Sequence, residues 1–244
     1  MNALKTALFV AMLLGRTLPN QPSLEGELQR AIQKLSMAEN FSWVAMTIEE
    51  KDGKDPKVAE TLEGKWDKNG WCQLSNPKSK NAGDAFLKGD RIAVLLQECW
   101  KVLDVKEAAL AAGKPDKTIR QAQQFLKSKS PSEELRSYLG RVEDLRLGKN
   151  GLYSGRYTAL DVPIIIERAQ AAGRKIPDFV EPAARINFRI ENGVLASFEL
   201  VISGREAKAK KGQVVETLLA MSIDFSGVGT TALEIPAEVR KLLE

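Results

Sequence analysis

Residues 186–236 constrain the fold most, because they read as long antiparallel strands joined by explicit turn chemistry. Ile186, Phe188 and Ile190 alternate with Asn187, Arg189 and Glu191, and beyond Asn192-Gly193 the apolar series resumes at Val194, Ala196, Phe198, Leu200 and Ile202. Alternate residues of a strand share a face. A two-residue Asn192-Gly193 turn would oppose Phe188 to Ser197, dividing these apolar residues between two faces, and is rejected on that ground. A three-residue loop, Glu191-Asn192-Gly193 with Gly193 at positive φ in a bulge, keeps all eight on one face. The expected register is then Ile186 opposite Phe198, Phe188 opposite Ala196 and Ile190 opposite Val194. Val215, Thr217, Leu219, Met221, Ile223 and Phe225 alternate over a further long strand.

The remainder supplies more strands and a set of helices. Ser23 is placed to cap a helix with Leu24, Leu28, Ala31, Ile32 and Leu35 on one side, Glu25 and Glu27 in its first turn and Lys34 in its last. Phe41, Trp43, Ala45 and Thr47 alternate along the next strand, which turns through 51–56 into 58–66. Lys68-Asn69-Gly70 and Gly89-Asp90 mark two tight hairpins of a meander. Residues 104–112, 116–127 and 130–147 are rich in helix formers, the last opening on a Ser130-Pro131-Ser132-Glu133 capping box. Leu135, Leu139, Val142 and Leu145 or Arg146 would form its apolar stripe beside Tyr138. Residues 152–157 read as a short strand, and Asp161 as the cap of a helix over 162–172 that Gly173 ends.

Lys5 followed by the apolar run 7–14 has the size of a signal-peptide core and is too short to cross a bilayer. Export is expected, with the mature chain starting between Arg16 and Ser23; an uncleaved anchor is the alternative. No integral membrane span is expected in the mature chain, and no lipid attachment, because no Cys follows the run. The expected organisation is a leader over 1–22 and a single domain over 23–244 with a helical insertion at about 104–147. Cys72 and Cys99 are the only cysteines. On a meander they fall two strands apart, beyond bridging reach, and two buried thiols are expected, although coiling at the strand ends leaves a bridge open.

Composition narrows the chemistry. The 244 residues contain no histidine, which removes the usual Ser-His-Asp and Cys-His nucleophilic centres and imidazole zinc sites. No phosphate-binding glycine loop, dinucleotide fingerprint or EF-hand is present. Carboxylate neighbours such as Glu49-Glu50, Glu133-Glu134 and Glu143-Asp144 point apart on strands and helices and read as solvated charge, although a glycosidase pair assembled from distant residues stays open. A net charge of +4 is small for this many charged residues, and the basic group Arg205, Lys208, Lys210 and Lys211 reads as a solvated hairpin tip, so no nucleic acid is expected. Neither an enzyme nor a cofactor or metal is expected.

The run 84–90, the segment 151–155, the turn 190–195, and 228–231 leading through Ile235-Pro236 to Leu242 together resemble exported bacterial proteins of the LolA-like half-barrel superfamily, that of the outer-membrane lipoprotein carriers. The resemblance covers roughly residues 41–243. It implies an α+β fold in which a strongly curved antiparallel sheet wraps several helices; carrier members of the superfamily hold acyl chains or lipids between the concave face and those helices, and the resemblance carries over the fold and not that function. The expected function is an extracytoplasmic, periplasmic binding protein that carries or senses a lipid, lipoprotein or other apolar ligand. Ile186, Phe188, Phe198 and Leu200 are the candidate cleft lining. The alternative is an envelope scaffold or sensor that meets a protein partner without an internal ligand.

Overall fold

The computed structural model describes residues 23–77, 85–96, 99–104, 131–171, 174–206 and 215–244. In chain order these form helix α1 (Leu24–Ser36), strands β1 (Asn40–Lys51), β2 (Lys57–Asp67), β3 (Trp71–Ser75), β4 (Ala85–Lys88), β5 (Arg91–Leu96) and β6 (Cys99–Asp104), helix α2 (Pro131–Leu139), strands β7 (Glu143–Leu147) and β8 (Leu152–Arg156), helix α3 (Val162–Ala171), strands β9 (Phe179–Glu191), β10 (Val194–Glu206) and β11 (Val215–Ser226), and helix α4 (Ala237–Leu243). All eleven strands belong to one antiparallel sheet in the order β6-β5-β4-β3-β2-β1-β11-β10-β9-β8-β7. The fold class is α+β, an open half-barrel.

Laid flat at about 4.8 Å per strand, such a sheet would be about 48 Å wide. Sheets of this size curl, and register shifts in the β1–β2, β9–β10 and β7–β8 ladders add local bends. The concave face collects the main apolar cluster, with residues from β1 to β5 and from β8 to β11. Helix α1 lies against β7, β9, β10 and α2, and α3 lies against β9. Ser23 caps α1 as its composition predicts: its Oγ accepts from the Gly26 N–H at 3.1 Å, and Leu28, Ala31, Ile32 and Leu35 are buried.

The β9–β10 hairpin departs from the expected register. Asn192 and Gly193 both have positive φ, 52° and 72°, and Val194 pairs with Glu191, so the turn has two residues. A bulge then offsets the phase: Leu195 pairs with Ile190, Ser197 with Arg189, and Ala196 is the extra residue. Beyond it Phe198 pairs with Phe188 and Leu200 with Ile186. One inserted residue thus does what the three-residue loop was expected to do. Leu195 becomes the fully buried residue, while Val194 and Ala196 are only partly buried. Gly193 keeps the positive φ that was expected, so Gly193→Val should destabilise by about 1 kcal/mol or more, read as a lowered urea midpoint; an unchanged midpoint would contradict the turn geometry.

The expected 130–147 helix is also shorter than its composition suggests. It stops at Leu139, Gly140 and Arg141 form a turn, and Glu143–Leu147 becomes the edge strand paired with β8. Sheet pairing overrides local helix propensity here, while Leu135, Leu139, Val142 and Leu145 still reach the core, now from α2, the connection after it and β7. The segments 105–130 and 207–214, with the expected insertion helices and Lys208, Lys210 and Lys211, lie outside the described residues, as does the leader. Arg205 of that basic group pairs with Glu181.

Asp161 precedes α3, but its carboxylate turns to other partners. It accepts from Thr158 Oγ1 and from the Arg141 guanidinium, each at 2.7 Å, tying α3 to the turn after α2. These bonds, Thr158 first, hold its pKa below the usual aspartate range. A depressed folded pKa contributes stability above the unfolded value that disappears as pH falls through the folded one. Asp161→Asn should therefore be less stable than the parent at neutral pH, with the gap closing on acidification. Urea midpoints across an acid series check this, and a gap independent of pH would refute it.

Cys72 and Cys99 are both free thiols. Cys72 is buried in β3, whereas Cys99 is exposed on edge strand β6, three strand intervals away rather than two. The pair of buried thiols expected from the sequence is thus corrected at Cys99. Burial pushes the Cys72 thiol well up. A disulfide-exchange reagent should label one thiol, Cys99, in the native protein and two after denaturation; two labelled natively would overturn the burial of Cys72.

Candidate functional site

The concave face is built from alternation. Cross-strand pairs Phe188–Phe198 and Ile186–Leu200 place four apolar side chains side by side, at 0%, 4%, 0% and 0% exposure respectively. Tyr138 of α2 stacks on Phe198 with ring centroids 5.7 Å apart and planes 8° from parallel, and Phe198 meets Phe188 at 5.7 Å. The four residues singled out from sequence are therefore brought together, and the helical layer is seated on them.

Polar groups of that layer are partnered. Tyr138 donates to Glu134 Oε1 at 2.8 Å, Tyr153 to Glu27 Oε2 at 2.7 Å, and Tyr157 to the Tyr138 carbonyl at 3.3 Å. Burial, more than the neighbouring acid, pushes the Tyr138 and Tyr157 phenols up, so they stay protonated at neutral pH. They serve as hydrogen-bonded core tyrosines. Among the described residues no group of three or more Cys, Asp or Glu is placed to hold a metal, and no helix is long and apolar enough to cross a membrane.

Open space among the described residues includes a cavity of about 230 Å³ beside Ser42, Val44 and Ser226, and larger cavities at two places. Between α1 and α2 a cavity of about 450 Å³ is lined by Gln29, Gln33 and Arg136 at its rim and by Ile32 and Leu139 from the core. Arg136 donates to Ser36 Oγ across this seam at 2.7 Å. At one end of the concave face, two cavities of about 450 and 430 Å³ share Glu49 and Lys175. There Lys51 of β1 reaches Glu49 at 3.1 Å and Glu206 of β10 at 3.2 Å, crossing intervening β11. These two carboxylates raise the Lys51 pKa, Glu49 most. Sequence alone did not mark this cluster: Glu49 reads there as solvated charge, and Lys175 and Glu206 lie far from Glu49 and Lys51 in the chain with no spacing motif to link them.

A second apolar cluster covers the opposite face. Trp71, Phe86 and Ala93 pack under Val239 and Leu243 of α4, with Trp100, Val102, Leu233 and Ile235 around them. Arg91 donates to the Leu242 carbonyl at 2.5 Å, holding the end of α4 to β5.

No known family's sequence profile matches the chain, and no curated protein matches it in sequence. Solved structures similar to it include the lipoprotein LppX of Mycobacterium tuberculosis, 10% identical with a TM-score of 0.45, covering 87% of this chain and 98% of that one. LprF of Mycobacterium bovis is 12% identical at a TM-score of 0.43, with 87% and 95% covered. A LolA superfamily protein of Nitrosomonas europaea is 9% identical at 0.33, with 90% and 96% covered. These likenesses concern fold, and what those proteins bind is a property of theirs.

Proposed function

We propose that this protein is a non-catalytic binding protein of the cell envelope, a single domain over 23–244 behind a leader at 1–22. It holds a lipid, a lipoprotein acyl chain or another apolar ligand between the concave face and the helices, with Ile186, Phe188, Phe198 and Leu200 in the wall. One observation carries the reading: the concave face is apolar across β1 to β5 and β8 to β11, and the α1–α2 seam opens onto it through core residues Ile32 and Leu139. A chain entering by that seam would pass Gln29, Gln33 and Arg136 at the rim and meet Ile32 and Leu139 beneath them. Each buried methylene would contribute about 0.8 kcal/mol, so parting the layers around a long acyl chain has a driving force. An alternative reading, a scaffold that meets an envelope protein through its surface, is favoured by the tight packing of those same four residues.

Organic extraction of the protein purified from its native host, followed by mass spectrometry, separates the two. A lipid recovered in about equimolar amount supports the binding protein. A clean extract, together with no uptake of a fluorescent fatty acid by the folded protein, would leave the scaffold.

A further inference from the structure

The polar end of the concave face carries a site of its own. Glu49, Lys51 and Thr217 lie on that face in adjoining strands, Lys51 directly opposite Thr217 and Glu49 opposite Leu219. Glu206, opposite Val215, shares the face as well. The Lys51–Glu206 ion pair therefore spans β11 at the level of Thr217. Thr217 is 2% exposed, and its hydroxyl has no hydrogen-bond partner. A buried hydroxyl without a partner is unfavourable, and Thr217 sits beside the Lys51–Glu206 pair that borders the first cavity.

The lining chemistry narrows what arrives. The first cavity has three cationic residues, Lys51, Arg174 and Lys175, and three anionic ones, Glu49, Asp178 and Glu206. A charged ligand would gain from one set what it loses to the other. An uncharged group that both donates and accepts can use both sets, and Gln170 and Thr47 add polar groups of the same double character. Below this rim, Ile176 lines the first cavity and Leu219 the second, and both belong to the concave core. A polar rim over an apolar floor suits a ring with C–H faces and hydroxyl edges.

We propose that these adjoining cavities bind an uncharged polyhydroxyl group, a sugar or polyol, as the headgroup of an amphipathic ligand whose apolar part enters the concave core. This rests on the binding function proposed above. The test titrates the full chain, below micelle concentrations, with octyl glucoside, octyl sulfate, octylammonium and methyl glucoside, and separately with the uncharged apolar fluorophore N-phenyl-1-naphthylamine. Lys175 and Gln170 are exposed at the rim, so Lys175→Ala and Gln170→Ala should fold normally, checked by circular dichroism.

Octyl glucoside should bind at least tenfold more tightly than either charged octyl ligand. Both variants should remove that preference and leave fluorophore binding unchanged. If octyl sulfate or octylammonium equals the glucoside, or the preference survives both variants, the headgroup site is overturned while fluorophore binding keeps the apolar reading. Methyl glucoside binding as tightly as octyl glucoside, and weakened by Lys175→Ala, would overturn the lipid source and leave a free-sugar site. If no octyl ligand, glucoside or fluorophore binds, both readings fall.

Discussion

Gly64→Val should be among the most damaging single substitutions in this chain. Gly64 of β2 pairs with Trp43 of β1, and the indole lies over the glycine: a Cβ there would sit 2.1 Å from Trp43 Cζ2. Trp43 cannot retreat readily, because it packs against Phe41, which also meets Trp66 and Phe225 at centroid distances of 5.3 and 5.9 Å. Overpacking of a filled core costs about 1–3 kcal/mol, and with both neighbours held by an aromatic cluster the upper end is expected. Urea denaturation should show a midpoint lowered accordingly, or the variant should be recovered insoluble. Parent-like stability would mean that the indole does not lie on Gly64.

Phe188→Ala acts by the opposite route, removing volume. Its ring is fully buried, paired with Phe198 and one step from the Tyr138 stack. Truncating a buried phenylalanine costs about 3–5 kcal/mol, increasing with the cavity left behind. The same change widens the proposed wall. A destabilised but folded Phe188→Ala protein should therefore take up a bulkier apolar probe than the parent does, with the loss of stability read from denaturation and the gain from probe fluorescence. A loss below about 1 kcal/mol would place Phe188 outside the core, contrary to its 0% exposure.

Much of the sheet was legible because alternation is a strong local signal. Phe41, Trp43, Ala45 and Thr47 are buried on one face as their spacing indicates, and Thr217 through Phe225 behave likewise. Turns were legible where one residue type decides the geometry: Gly70 closes the loop after β2 at φ 81°, and Gly89 the β4–β5 turn at φ 59°. The 192–193 turn was not, because apolar phase alone does not distinguish a three-residue loop from a two-residue turn followed by a bulge. Strands β4 and β5 hid a different fact. Ala85 and Leu87 face the main core while Phe86 faces α4, and Ile92 and Val94 oppose Ala93 in the same way. Continuous apolar runs mark strands buried on both faces, and they identify no covering element. The strand at 143–147 was illegible because its pairing with β8 is a tertiary choice laid over helix-forming residues. At the proposed headgroup site the informative residues become neighbours only once β1, β10, β11 and the 174–178 segment are assembled.

The placement of β1 beside β11 has a consequence for the time course of synthesis. Ser42 and Ser226 touch through their hydroxyls at 3.0 Å although 184 positions separate them. A ribosome adding about 5–20 residues per second needs about 10–40 s to produce the second after the first. Throughout that interval β1 exposes an unpaired edge beside Phe41 and Trp43, and the outer surface of β3 to β5 awaits α4, which follows β11 in the chain. The sheet thus stays incomplete at least until β11 has been made, and for that time the open edge of β1 can pair with another copy.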